Sequence, residues 1–157
     1  MKWIPKDVQT YLSAKEYIDT AVVPLYSISM EAEMKQSAES AEFIALLAAQ
    51  VERQFAGRLV LLPPFTYLKR ESSEKTGGDL KNWESTLLDA EFKHVFYLTA
   101  DAEWRRMEDQ YEGSFIWLPS IPLESMSDGQ KITLVDSQVN QLLPLFTQKW
   151  HENQGNS

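Results

Sequence analysis

The sequence predicts a single-domain, doubly wound α/β fold with a mainly parallel four-stranded sheet flanked by helices. Two observations support this prediction. The strand-like runs are apolar at consecutive positions, which is typical of strands buried on both faces. Segments with helical spacing separate these runs, and the alternation of strands and helices indicates crossover helices on a parallel sheet. With right-handed crossovers and a switch of direction beside the first strand, we expect the strand order 2-1-3-4.

Four runs are predicted as strands because each is short, apolar and bounded by turn residues or helix ends. They cover Thr20–Tyr26, Arg58–Leu62, His94–Leu98 and Ser114–Leu118.

The longest predicted helix covers Ser29–Phe55, where apolar and small residues recur at steps of three or four. Ser29 is expected to cap its start, and Gly57 to provide the left-handed stop after its end. Three shorter helices are predicted. They are an N-terminal helix with Pro5 in its first turn and Val8, Tyr11 and Leu12 facing inward, a helix over Asp79–Phe92, and a short helix capped by Asp101.

The C-terminal segment leaves two alternatives open. Ser127 and Gln130 form a capping-box pattern, and the apolar spacing that follows favours a helix over 128–151, bent at Pro144. In the alternative, the segment KITLV at 131–135 is a fifth strand that precedes a shorter helix. A flexible tail is expected over about 151–157.

The stretch PPFTYL follows the second predicted strand. We predict that it opens a loop over 63–78, which is much longer than the usual connection in such folds. The sequence does not distinguish a lid from a disordered loop. Phe65 is expected to pack against the sheet or a helix, and Tyr67 is favoured as a site residue.

Composition excludes several classes of protein. Fifteen basic and twenty-three acidic residues give a net charge of -8, which argues against a nucleic-acid partner. No apolar run approaches the ~18 residues that span a bilayer, and the start lacks a secretory signal, so a cytoplasmic location is expected. The absence of cysteine excludes disulfides, thiolate metal sites and cysteine nucleophiles.

The candidate site is a crevice at the carboxyl ends of the strands, where ligands bind in open parallel sheets. Polar side chains that end or follow the predicted strands could converge there to bind a small polar ligand or a partner. Ordinary capping and turn formation is their alternative role. The candidates are Tyr26, Ser27, Thr66, Tyr67, Asp101, Ser120 and Glu124.

No catalytic residue, metal or cofactor is predicted. His94 opens a strand and lies away from the expected crevice, and His151 lies in the polar tail. Neither is placed as a general base, and the two do not form a metal-binding pair.

Three segments of the first half resemble the YpiF family of small uncharacterised proteins from Bacillus-type bacteria. They are MKW at the start, AKEYIDTAVVPL from Ala14 to Leu25, and EFIALLAAQVERQFAGRLVLLPPFTYL from Glu42 to Leu68. The family supplies no catalytic motif to transfer. Its members are encoded near genes for a menaquinol–cytochrome c reductase, so the resemblance implies a loose link to respiratory-complex assembly.

Two functions are therefore considered. The first is a non-catalytic cytoplasmic interaction or regulatory protein, because nucleophile, metal and phosphate-binding motifs are absent. The alternative is a small-ligand-binding protein or enzyme that uses the crevice. The partner would be a protein or a small polar molecule, and the oligomeric state is left open.

Overall fold

The computed structural model describes residues 1–155, and the side chains of residues 1–152. These residues form four α-helices and five strands, with two short 3₁₀ helices at Ala102–Arg106 and Glu108–Gln110. In chain order the main elements are α1 (Pro5–Ser13), β1 (Thr20–Ile28), α2 (Met34–Gln54), β2 (Leu59–Leu61), β3 (Phe65–Leu68), α3 (Ser73–Asp89), β4 (His94–Thr99), β5 (Ser114–Trp117) and α4 (Asp128–Gly155).

The sheet has the order β2-β1-β4-β5, and β3 also pairs with β1. Every pairing is parallel. The predicted α/β class is confirmed, and the four predicted strands lie in the predicted order. The difference is the additional strand β3, which lies on the same side of β1 as β2.

Helices cover both faces of the sheet. Val22 and Phe96 belong to the apolar cluster that the sheet forms with α2 and α4, whereas Val23 and Tyr97 belong to the cluster that includes α3. All four side chains are almost completely buried. Because neighbouring strand residues point to opposite faces, burial on both sides explains why the strands are apolar at every position.

The predicted loop over 63–78 is wrong, because the edge strand resumes after the two prolines and α3 begins at Ser73. Between the ladders of β2 and β3, Val23 and Pro24 of β1 lie opposite three residues, Leu62, Pro63 and Pro64. The extra residue forms a bulge, where the ladder of hydrogen bonds is interrupted. Prolines, which have no N–H to donate to a ladder, are therefore tolerated there. The two prolines are therefore part of an interruption within one edge of the sheet, and FTYL is the strand that resumes after it.

Helix α3 begins earlier than predicted. The Lys75 N–H donates to the Ser72 hydroxyl at 3.2 Å, so Ser72 caps the helix. Gly77 and Gly78 lie inside α3. The Tyr111 hydroxyl donates to the Gly77 carbonyl at 2.7 Å, and the small residue leaves room for this contact.

The start of α2 also differs from the prediction. The helix begins at Met34, and Ser29 instead donates its backbone N–H to the Ser37 hydroxyl at 3.2 Å. Gly57 does not adopt a left-handed conformation, so the predicted stop is wrong. In α1, Tyr11 stacks on Phe92, but Leu12 faces solvent, contrary to the prediction.

The C-terminal segment is one helix with Pro144 in its interior, so the alternative strand at 131–135 is wrong. The predicted capping box is present. The Ser127 N–H donates to Gln130 Oε1 at 2.9 Å, and the Gln130 N–H donates to the Ser127 hydroxyl at 3.2 Å. The predicted tail begins within α4, and positions 156–157 lie outside the described residues. Within residues 1–155, no helix combines the length and apolar character needed to cross a membrane.

Candidate functional site

A cavity of about 210 Å³ lies at the carboxyl ends of β1 and β4. The chain leaves β1 towards β2 and leaves β4 towards β5, so the two adjacent strands are followed by segments that run in opposite directions. Such a switch point opens a crevice in doubly wound sheets. The polar and charged side chains that line this crevice are Tyr26, Ser27, Ser29, Glu33, Gln36, Ser37, Ser40, Lys69 and Asp101.

A serine cluster holds the start of α2 against the end of β1. The Ser37 hydroxyl donates to the Ser27 carbonyl at 2.6 Å and accepts the Ser29 N–H at 3.2 Å. These bonds satisfy backbone groups where the strand ends. They fix one wall of the crevice, although the Ser37 hydroxyl is thereby occupied.

A second network joins β3 to the segment after β4. The Tyr67 hydroxyl donates to Asp101 Oδ2 at 2.6 Å and accepts the Trp104 Nε1–H at 2.9 Å. Asp101 Oδ1 accepts the Glu103 N–H at 3.0 Å, so Asp101 caps the 3₁₀ helix as predicted. Both carboxylate oxygens of Asp101 are therefore engaged within the fold.

The electrostatics keep Tyr67 neutral. Burial, followed by the charge of Asp101 and the hydrogen bond to it, raises the pKa of Tyr67 well above its ordinary value, and hydrogen bonds from Trp104 and Ser27 oppose this shift only in part. Tyr67 is consequently a hydrogen-bond donor to Asp101 and does not act as a phenolate.

An ion pair lies at the mouth of the crevice. Lys69 Nζ is 2.7 Å from Glu33 Oε2, and both side chains are about half exposed. The hydrogen bond to Glu33 raises the pKa of Lys69 despite partial desolvation, so the lysine stays protonated. The pair joins the segment after β3 to the start of α2.

The structure brings together some of the predicted site residues. Tyr26, Ser27 and Asp101 line the crevice, and Tyr67 contacts Asp101. Thr66 is exposed on the edge strand, and its hydroxyl lies 3.4 Å from the Pro64 carbonyl.

The two candidates after β5 do not line the crevice. Ser120 and Glu124 follow the far edge strand of the sheet. Glu124 forms an exposed ion pair with Lys35 at 2.8 Å. Sequence reasoning included these residues because it considered every strand end, whereas the crevice opens only at the switch point.

Several lining residues were not predicted, including Glu33, Gln36, Ser37, Ser40 and Lys69. Ser37 and Ser40 are three positions apart, which places them on one face of α2. That spacing is a signal in the sequence. Lys69 had no such signal, because its position depends on the unpredicted strand β3.

The crevice offers hydroxyl and amide groups together with the ion pair between Lys69 and Glu33 at its mouth. This set suits hydrogen bonding to a small polar molecule. Among the described residues, no group of three or more His, Asp or Glu side chains is arranged to hold a metal ion. His94 lies at the opposite end of the sheet, because it is the first residue of β4.

The fold and crevice define a doubly wound α/β protein with a polar opening at its switch point. A family described as "Protein of unknown function (DUF2487)" matches residues 9–150. The chain is also 42% identical over 150 residues to the uncharacterized protein YpiF of Bacillus subtilis strain 168, covering 96% of this chain and 98% of the relative. The chain therefore belongs to the DUF2487 family, and the resemblance to YpiF is confirmed. No solved structure gives a significant match.

Proposed function

We propose that this protein is a non-catalytic, cytoplasmic interaction or regulatory protein. The observation that carries the proposal is the engagement of charged groups at the crevice. Both oxygens of Asp101 accept hydrogen bonds from the protein, and Lys69 pairs with Glu33. A general base or acid must lie within hydrogen-bonding reach of the substrate. The contacts within the protein occupy these charged groups and so compete with such a role.

The experiment removes the Asp101 charge and measures binding to a partner. Proteins cross-linked to the tagged chain in cells would be identified, purified and titrated against wild-type protein and Asp101→Asn. Asparagine retains an acceptor for Tyr67, so the fold should persist. We expect equal affinity for the purified partner. The proposal would be contradicted by a catalytic turnover that the wild type shows and Asp101→Asn lacks, together with the absence of any purified protein that binds the wild type.

The family resemblance suggests where to look for that partner. The assembly factors and subunits of a menaquinol–cytochrome c reductase would be the first proteins to titrate. This choice rests on the resemblance alone. Binding to another protein would support the interaction function and exclude the respiratory link.

A second candidate, small-ligand binding, is favoured by the position of the crevice at the switch point. A ligand there would bind neutral groups such as Tyr26, Ser40 and Gln36. A thermal-shift screen of small polar molecules tests this candidate, because a ligand at ~100 times its dissociation constant adds about 2.7 kcal/mol to stability.

Matched variants make the screen specific. Ser40→Tyr places a ring in the crevice, whereas Ser85→Tyr makes the same change on the exposed face of α3. A crevice ligand should stabilise the wild type and Ser85→Tyr but not Ser40→Tyr. Equal stabilisation of all three would place the ligand elsewhere and exclude the crevice.

A further inference from the structure

A notch lies at the amino end of the sheet, opposite the crevice. β4 begins at His94, but the first residue of β5, Ser114, pairs with Phe96. His94 and Val95 therefore have β1 on one side and no strand on the other. The space forms a cavity of about 220 Å³ between β4, β5 and α4.

His94 is buried in this notch without a hydrogen bond. Its side chain is only 5% exposed, and Nε2 lies 4.0 Å from Asp19 Oδ2, which is beyond hydrogen-bonding distance. In the part of the chain that the structure describes, the imidazole ring makes no hydrogen bond. The ring lines the cavity, so a molecule bound there can hydrogen-bond to it.

Asp19 is a carboxylate close to the ring but makes no hydrogen bond to it. Its carboxylate accepts two bonds from the Arg58 guanidinium, both at 3.2 Å, and one from the Thr20 hydroxyl at 2.9 Å. The Arg58 guanidinium also lies over the Trp150 ring, at 4.1 Å from its centroid. These contacts fix Asp19 and Arg58 beside the notch.

The lining of the notch contains two ammonium groups and one carboxylate, although the whole chain carries a net charge of -8. Lys93 and Lys149 line the cavity with one carboxylate, that of Glu112, and with Ser114. Lys149 also lies 3.8 Å from Glu152 on its own helix. Of these groups, both ammonium groups and the serine hydroxyl can donate to an anion.

The backbone N–H groups just before β5 are not free to bind a ligand. The N–H groups of Glu112 and Gly113 both donate to the buried Glu84 carboxylate at 3.0 Å. A Cβ atom at Gly113 would lie 2.7 Å from Tyr97 and 2.9 Å from the Val95 carbonyl, so glycine is required for this close approach. The side chains of the notch are therefore the groups that would bind.

We propose that the notch binds a small oxyanion through the ammonium groups of Lys93 and Lys149, the Ser114 hydroxyl and the His94 ring. Sulfate, phosphate and carboxylate groups share the required chemistry, because each presents several acceptor oxygens and a negative charge. The site is independent of the crevice and of the function proposed for it.

Binding is coupled to protonation of His94. Burial lowers the pKa of His94 below its ordinary value, the charges of Arg58, Lys149 and Lys93 lower it further, and Asp19 opposes them. Glu112 is the acidic group of the lining. A bound oxyanion favours the charged imidazolium, so binding takes up a proton and tightens as the pH falls.

Sulfate is the first probe, because its charge does not change between pH 5.5 and 8. The imidazole resonances of the two histidines are followed by NMR during titration, with sodium chloride matching the ionic strength. His151 is exposed on α4 and serves as an internal control. We expect a saturable shift at His94, a higher His94 pKa in sulfate, and a much smaller linear shift at His151.

Variants that remove a positive charge test the side chains proposed to bind the anion. Lys149→Gln or Lys93→Gln should weaken sulfate binding about tenfold, because each removes a charge-assisted contact. Lys6→Gln, on the exposed surface of α1, is the matched control and should leave it unchanged. A parallel titration with succinate distinguishes a tetrahedral oxyanion from a carboxylate. Linear, equal shifts of both histidines with both anions, or a Lys149→Gln titration identical to that of the wild type, would overturn the proposal.

Discussion

Phe65 and Tyr67 lie two positions apart on β3 and therefore point to the same face of the sheet. Phe65 is 5% exposed, and its ring packs edge-on against Trp83 with centroids 5.5 Å apart. Tyr67 continues the same aromatic row and packs edge-on against Trp104. Thr66, between them, faces the other way into solvent. Phe65 thus fills the core, and Tyr67 carries its hydroxyl to Asp101, which lines the crevice.

Phe65→Ala should destabilise the protein by ~3 to 5 kcal/mol, the range for deleting a buried aromatic side chain. Urea unfolding of the wild type and the variant measures the difference. Thr66→Ala is the matched control on the same strand and should change the stability by less than about 0.5 kcal/mol. An unfolding midpoint indifferent to Phe65→Ala would show that β3 does not pack as described.

At the scale of elements, a helix cap that depends on neighbouring residues was predicted, whereas a strand that depends on long-range pairing was not. The capping box of Ser127 and Gln130 depends on residues three positions apart, so the sequence alone predicts it. The strand β3 depends on pairing with β1, about forty residues earlier in the chain. Pro63 and Pro64 are typical of a strand end, and only the partner strand shows that they form a bulge.

Ser127→Ala should cost about 1 kcal/mol, because it removes the acceptor for the Gln130 N–H at the start of α4. Thermal unfolding followed by circular dichroism would show a lower midpoint. Ser125→Ala, two residues earlier and also exposed, is the control. Equal midpoints for the two variants would mean that the cap does not stabilise α4.

For the whole molecule, periodicity predicted the class, and right-handed crossovers with a switch beside the first strand predicted the order of the four apolar strands. The rule for ligand binding in open parallel sheets predicted a crevice at the carboxyl ends of the strands, and Tyr26, Ser27 and Asp101 line the crevice at that end. Ser120 and Glu124 were included because every strand end was considered, although the predicted order already placed their strand at the far edge of the sheet. The notch beside His94 was not predicted, since it results from the stagger between β4 and β5.

Stability should fall on mild acidification because of His94. Its pKa in the folded protein is below the ordinary value of 6.5, chiefly through burial, so the unfolded chain binds the proton more readily. The stabilisation is present above pH 6.5 and is lost as the pH falls through the folded-state pKa. Asp19, whose pKa is lowered from 3.8 by Arg58 and Thr20 against the effect of burial, contributes the same trend only at lower pH.

Urea unfolding between pH 7.5 and 5 measures this effect. His94→Gln should flatten the pH dependence in that window, whereas His151→Gln should leave it as in the wild type. Equal slopes for both variants would indicate that His94 is not a buried neutral group.

The most direct measurement for the whole interpretation is a double-mutant cycle between Tyr67→Phe and Asp101→Ala. The hydrogen bond of 2.6 Å joins the edge strand to the crevice and engages the carboxylate on which a catalytic role would depend. If Asp101 is a structural group, urea unfolding of the four proteins should give a coupling energy of about 1 kcal/mol or more, as expected for a hydrogen bond to a charged partner. The same cycle with Thr66→Ala should give no coupling. Additive effects of Tyr67→Phe and Asp101→Ala would contradict the structural role and leave the Asp101 carboxylate available for chemistry.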